Sequence, residues 1–244
     1  MKKILLVLIT IFLFQTGTEL AAQVKKEIEL SGENIEPGVQ VYEYVREQNG
    51  KLSTLGTITE MIKKTGDRMV IVYRQALPNI VIEDSLVVNS ENFAPKFYRS
   101  TTETRENITV KYNEANSGAD IRVKRRGYGL NQDTSYSANF DQLRYDSHWL
   151  PTLLYAIEKG NAISWEIPIY SYNNKEGVLR IRKEGVEEVT LHEKMYEAVK
   201  YEVSRKNSED IYHYWIDKGS KRLLQTRGEI NPNLVVWLRI KAQT

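Results

Sequence analysis

With no cysteine among its 244 residues, any proton or group transfer by this chain falls first to three histidines, His148, His192 and His213. The lack of thiols removes thiol nucleophiles, thiolate zinc sites and redox function. His148 stands in "RYDSHWLP", two residues after Asp146, and an imidazole beside a carboxylate is the pair that general-base chemistry uses. Ser147 and His148 are chain neighbours, which does not by itself produce triad geometry. The sequence favours a structural or surface histidine here. His213, in "IYHYWID", shares a strand face with Ile211 and Trp215, the position of a core or rim histidine. His192, in "TLHEK", falls at a strand end.

No other spacing assembles a site. The histidines follow neither HExxH nor H-x-H, so no two imidazoles are set for one metal. There is no G-x-S-x-G elbow. The acidic pairs Glu83-Asp84, Glu187-Glu188 and Glu209-Asp210 are adjacent. Adjacent strand residues point to opposite faces, so no such pair can flank a glycosidic bond. Gly127-Tyr128-Gly129 lacks the strand-to-helix setting of a phosphate loop. Asn107-Ile108-Thr109 matches a glycosylation acceptor, a pattern common by chance. The longest basic run, Lys124-Arg125-Arg126, fits a solvated strand end better than a lipid-headgroup or polyanion contact. The chain therefore reads as a non-enzyme with no catalytic residues, no metal and no cofactor; a hydrolase is the remote alternative.

The elements that would position these groups are strands. "VQVYEYVRE" (39–47) puts Gln40, Tyr42, Tyr44 and Arg46 on one side and Val39, Val41, Glu43 and Val45 on the other. Asn49-Gly50 is a hairpin turn. "NITVKYN" (107–113) aligns Ile108, Val110 and Tyr112; "NLVVWLRIKA" (233–242) sets Leu234, Val236, Leu238 and Ile240 against Val235, Trp237, Arg239 and Lys241. Similar runs recur throughout, parted by turns such as Thr65-Gly66-Asp67 and Lys218-Gly219-Ser220. About twelve to fourteen short alternating strands predict an all-β, mainly antiparallel domain. So many strands curl into a half-barrel, β-roll or two layers. No period of 20 to 50 residues marks a propeller or solenoid. Residues 23–35 read as an N-terminal extension and 36–244 as a single β domain, its two β-rich halves joined through 128–161.

"SHWLPTLLYAIEKG" (147–160) breaks the period. Trp149, Leu150, Leu153, Leu154 and Ile157 are spaced as one helical face. Ser147 is a plausible N-cap, Pro151 suits the first turn, and Gly160 can end the helix. A helix of two to three turns, about 147–159, is marginal alone. It must be packed on the concave face of the sheet. The aromatic strands form the wall: "WEIPIYSY" (165–172) carries Trp165, Ile167 and Ile169 against Tyr170 and Tyr172, and "IYHYWID" (211–217) sets Tyr212 and Tyr214 against Trp215. Either these strands lie between two layers, or one face lines a cavity or partner surface. The candidate ligand-binding residues are Trp149, Leu150, Leu153, Leu154, Ile157, Trp165, Tyr170, Tyr214 and Trp215.

The first residues read as an address. Lys2 and Lys3 precede an apolar run from Ile4 to Phe14, then a polar stretch and Ala21-Ala22. That is the layout of a secretory signal peptide, residues 1–22. The run is too short for a spanning helix of roughly 20 residues. No transmembrane span is expected after cleavage, and no cysteine follows to carry a lipid. The chain is expected in the periplasm or outer envelope of a Gram-negative bacterium. Without Lys2, Lys3 and Glu19, 32 basic residues face 31 acidic ones, with no clustered basic footprint for nucleic acid. The expected partners are an apolar or lipid-like ligand, as for a binding or carrier protein, or alternatively another envelope protein, as for a structural or assembly protein.

Three pieces carry a resemblance: "DSLVVNSENFAPKFYRS", "FDQLRYDSHWLPTLLYAIEKG" and "KMYEAVKYEVSRKNSEDIYHYWIDKGSKRLLQTRGEI". Together they resemble the exported domain-of-unknown-function family 3108. They are distantly similar to the half-open β-barrels of the lipoprotein-carrier class. The resemblance covers residues 36 to 243 and implies a strongly curved antiparallel sheet wrapped around a short helix. It brings no catalytic residues with it.

Overall fold

Alternating runs between turn residues become strands, and one sheet takes them all. The computed structural model describes residues 30–241 except 34, 103–105, 114–116, 128–129, 149, 158–161, 173–174, 207 and 232–233. The segment read as a signal peptide, Trp149 and Gly160 lie outside the described residues. The first strands are β1 (Gly38–Gln48), β2 (Lys51–Thr65), β3 (Arg68–Leu77), β4 (Ile80–Asn89), β5 (Pro95–Thr102), β6 (Glu106–Tyr112), β7 (Gly118–Gly127) and β8 (Leu130–Asn139). A two-residue strand, β9 (Tyr145–Asp146), and the single described helix, α1 (Leu150–Ala156), follow. Then come β10 (Ser164–Ser171), β11 (Lys175–Leu191), β12 (Lys194–Arg205), β13 (Ile211–Asp217), β14 (Leu223–Asn231) and β15 (Leu234–Ile240).

The strand order runs β8 back to β1, then β15 back to β9. Every pair is antiparallel except β9 with β10. The order alone dictates curvature. Laid flat, fifteen strands would hold β8 and β9 roughly 65 Å apart at about 4.8 Å per strand. The link from Asn139 to Tyr145 is six residues, a reach of about 20 Å. The sheet must therefore curl until its edges approach, which makes it a half-barrel. Side chains join the edges where no ladder does: Tyr136 OH donates to Tyr172 O at 3.3 Å and Tyr112 OH to Asp146 Oδ2 at 2.8 Å.

Helix α1 fills the concave face. Pro151 through Ala156 are all buried, Leu153 to 1 % exposure, while Leu150 and Ile157 are half-buried at its ends. Buried leucines contribute about 1.5–3 kcal/mol each, enough to hold a helix too short to stand alone. The helix is shorter than the apolar spacing predicted, starting at Leu150, three residues past Ser147. A strap lies over its end. Leu30 bridges Ile157, Ser31 N–H donates to Ala156 O at 2.8 Å, and Leu30 and Ile35 are buried.

Three details differ from the sequence expectation. β8 (LNQDTSYSAN) falls in the stretch taken as a connection. Its residues 131–137 are exposed, because an edge strand need not show apolar alternation. β11 is continuous where two strands were expected, since Gly185 (φ 153°) absorbs a bulge without ending the ladder. Trp215, expected among the ligand-binding residues, lies away from the concave face. Tyr214 and Ile216 enter the main core, whereas Trp215 joins Val189, Leu191, Ala198 and Leu224 in a second cluster on the opposite face.

Candidate functional site

One register row crosses the concave face beneath α1. Glu60 on β2 faces Tyr73 on β3, Tyr73 faces Asp84 on β4, and Asp84 faces Ser100 on β5. The row Ile62–Ile71–Leu86 flanks it on one side and Ile58–Gln75–Ile82 on the other. Buried polar atoms must be partnered, and α1 and its surroundings supply the partners. Arg222 Nη2 donates to Glu60 Oε2 at 2.5 Å, and Tyr42 OH donates to the same oxygen at 3.3 Å. Arg222 Nη1 reaches Glu36 O at 3.2 Å. Tyr73 OH donates to Thr152 Oγ1 of α1 at 3.5 Å, and Leu223 N–H donates to Tyr155 OH at 3.0 Å. Burial pushes the Tyr42, Tyr73 and Tyr155 phenols well above their ordinary range. Burial pulls the Arg222 guanidinium down, but Glu60 and the neighbouring phenols outweigh it.

Asp84 continues the row. Tyr98 OH donates to Asp84 Oδ1 at 3.0 Å, yet burial still lifts the Asp84 carboxyl above its ordinary range. An acid raised in the folded state favours folding while protonated. That stability is full below the ordinary carboxylate range and is lost as pH rises through the folded pKa. Asp84→Asn keeps an acceptor for Tyr98 without the charge. It should raise stability at pH 7 by on the order of 1 kcal/mol, with the gain vanishing on acidification. Urea unfolding at neutral and acid pH measures both; a variant less stable than wild type at pH 7 contradicts it.

His148 belongs to the seam where the sheet edges meet. Its Nδ1 lies 2.7 Å from Asp146 Oδ1, which also accepts the His148 backbone N–H at 2.9 Å. Tyr98 stacks on one face of the ring (centroids 3.8 Å), and Tyr172 lies nearly parallel to one side of it (5.3 Å). Nε2 and the neighbouring Ser147 Oγ are enclosed without a hydrogen-bond partner. A carboxylate on Nδ1 orients an imidazole for proton transfer, but transfer needs access at Nε2, which is enclosed. In this state the pair clasps β9 to β5 and leads the chain into α1.

A family model described as "Protein of unknown function (DUF3108)" matches residues 40–232. The chain belongs to the DUF3108 family. Searches of curated proteins and of solved structures find no significant match. The DUF3108 match takes in the whole polar row, the His148 seam, α1 and Arg222, and leaves out the strap and β15.

On the side of the row where β1 turns into β2, the concave face of this DUF3108 chain is open. One register row there is Tyr44–Leu238–Thr226–Tyr214–Tyr201; the next runs Val236–Gly228–Tyr212–Val203–Ile181–Trp165. Tyr44, Trp165, Tyr201, Tyr212, Val236 and Leu238 point inward yet are only half-buried. The Trp165 and Tyr201 rings lie 6.4 Å apart. Gly228 is required, because a Cβ there would sit 2.5 Å from the Tyr212 ring. We call this aromatic band the mouth.

Of the residues expected to bind ligand, Leu150, Leu153, Leu154 and Ile157 form or flank α1, Trp165 lines the mouth, and Tyr214 is buried beside it. Tyr170 and Trp215 are corrections. Tyr170 packs on Phe140 (4.9 Å) and Tyr112 (6.4 Å) at the seam. Trp215 lies on the outer face, its indole N–H on Glu187 and Lys200 over its ring. The sequence reading missed Glu60, Tyr73, Asp84 and Arg222. The signal was available: in "ITEMI" and "IEDSL" an acid occupies the apolar phase of an alternating strand.

Proposed function

We propose that this chain is an exported, non-enzymatic binding or carrier-like protein of a Gram-negative periplasm or outer envelope. Its ligand is apolar or lipid-like and enters the mouth. One observation carries the reading: six apolar or aromatic residues point into the concave face and remain half-exposed, Tyr44, Trp165, Tyr201, Tyr212, Val236 and Leu238. A finished core would bury them; a concave apolar surface with tyrosine hydroxyls along it suits a flexible apolar chain. The polar row argues for a fixed α1. Withdrawing the helix would break the Tyr73–Thr152 bond and unseat Tyr155 from Leu223, at a cost of about 1–3 kcal/mol per buried polar group left unpaired. The ligand therefore rests beside the helix rather than displacing it. Export is supported by the basic start and apolar run of residues 2–14.

The test is titration of delipidated protein with a fluorescent fatty acid. Saturable binding that unlabelled fatty acid displaces is expected. Tyr212→Ala should weaken it about tenfold or more, and Leu238→Glu should abolish it, each in a variant with wild-type circular dichroism. Folded wild type with no saturable binding rejects the proposal.

A further inference from the structure

The outer face of the first half of the sheet carries its own pattern. Across β2 to β6 one register row reads Lys63–Val70–Val87–Phe97–Lys111. The row beside it, from β1 to β6, reads Val39–Met61–Val72–Ser85–Arg99–Thr109. Val39 is 59 % exposed, and Met61, Val70, Val72, Val87 and Phe97 are half-buried. An apolar stripe thus spans adjacent strands, roughly 20 Å at about 4.8 Å per strand. Lys63, Arg99 and Lys111 border it, are exposed, and form no ion pair among the described residues. Beyond Lys111 the rows continue into a depression of about 520 Å³ lined by Thr109, Lys111, Asp120, Arg122, Ser135 and Ser137. The acids there are already engaged, Asp120 by Ser137 and Asp133 by Arg122.

We propose that this face docks on an anionic bilayer surface. Apolar side chains between unpaired cations are the arrangement that a bilayer interface rewards, because headgroup phosphates meet the cations while the apolar groups reach the acyl boundary. The stripe itself is broad and holds no buried polar group that would read a shaped partner. It lies on the outer face of one half of the sheet and the mouth on the inner face of the other half, so docking and ligand binding are independent properties.

Cosedimentation of the full chain with phosphatidylcholine vesicles, with and without phosphatidylglycerol, tests it. Binding is expected only with phosphatidylglycerol present, falling with added salt. Lys63→Gln/Arg99→Gln/Lys111→Gln should weaken it about a hundredfold. The three positions are exposed, so the fold should persist, as circular dichroism verifies. Phe97→Ser should weaken binding separately. Equal binding to neutral vesicles, binding to neither, or a triple variant that binds like wild type overturns the proposal. So does an outer face that ignores vesicles but captures an acidic protein.

Discussion

Arg222→Met is expected to destabilise the fold by about 3–5 kcal/mol, the loss typical when one partner of a buried ion pair is removed. The Glu60 side chain has no exposure and the Arg222 side chain 10 %. Once the guanidinium is gone, the carboxylate keeps the Tyr42 hydroxyl at 3.3 Å and loses the Arg222 charge that offsets its burial. Water cannot replace the loss without lifting α1, since Tyr155 lies against the same pair. The arginine also anchors the chain at Glu36 O, so its removal loosens the approach to β1 as well. Glu60→Leu should cost a similar amount, because it leaves the guanidinium buried and unpaired. The double variant Glu60→Leu/Arg222→Met should recover most of the loss, since an apolar pair of similar volume needs no counter-charge. Urea unfolding of the four proteins gives the coupling directly. Losses that simply add would mean that the two groups do not depend on each other.

That pair also shows where sequence reasoning stopped. Strands were legible because residues such as Gln40, Tyr42 and Tyr44, or Ile108, Val110 and Tyr112, recur at period two between turn residues, and the helix because Leu150, Leu153, Leu154 and Ile157 recur at helical spacing. Both signals are local. The partner of Glu60 lies 162 residues away, across the junction of β1 with β15. No window of sequence contains both, and an acid in the apolar phase of a strand says only that some partner must exist. Trp215 failed for a related reason. Alternation separates Tyr214 from Trp215 but does not say that the outer face holds its own apolar cluster. That cluster exists because β11 and β12 run past the Gly185 bulge and bring Val189 and Leu191 to the indole. His148 was ambiguous because its role depends on Tyr98 and Tyr172, residues distant in sequence that pack against its ring.

Leu153→Ala should cost about 3–5 kcal/mol, the upper part of the range for emptying a fully enclosed leucine site. Two features place it there. Leu153 is 1 % exposed, and the helix cannot shift to collapse the cavity because its neighbours on both sides are fixed. Thr152 is tied to Tyr73, Tyr155 to Leu223, and Ala156 to the strap at Ser31. Leu150, half-buried at the helix start, is the internal control, and Leu150→Ala should cost about 1 kcal/mol. A surface helix resting loosely on the sheet would give the two substitutions similar, small effects. A helix filling the half-barrel separates them by about 2 kcal/mol or more. Chemical denaturation followed by strand circular dichroism decides between them, and the difference between the two leucines carries the answer. If it is absent, α1 is not what fills the concave face, and neither the curvature of the sheet nor the position of the mouth beside the helix has the cause assigned to it.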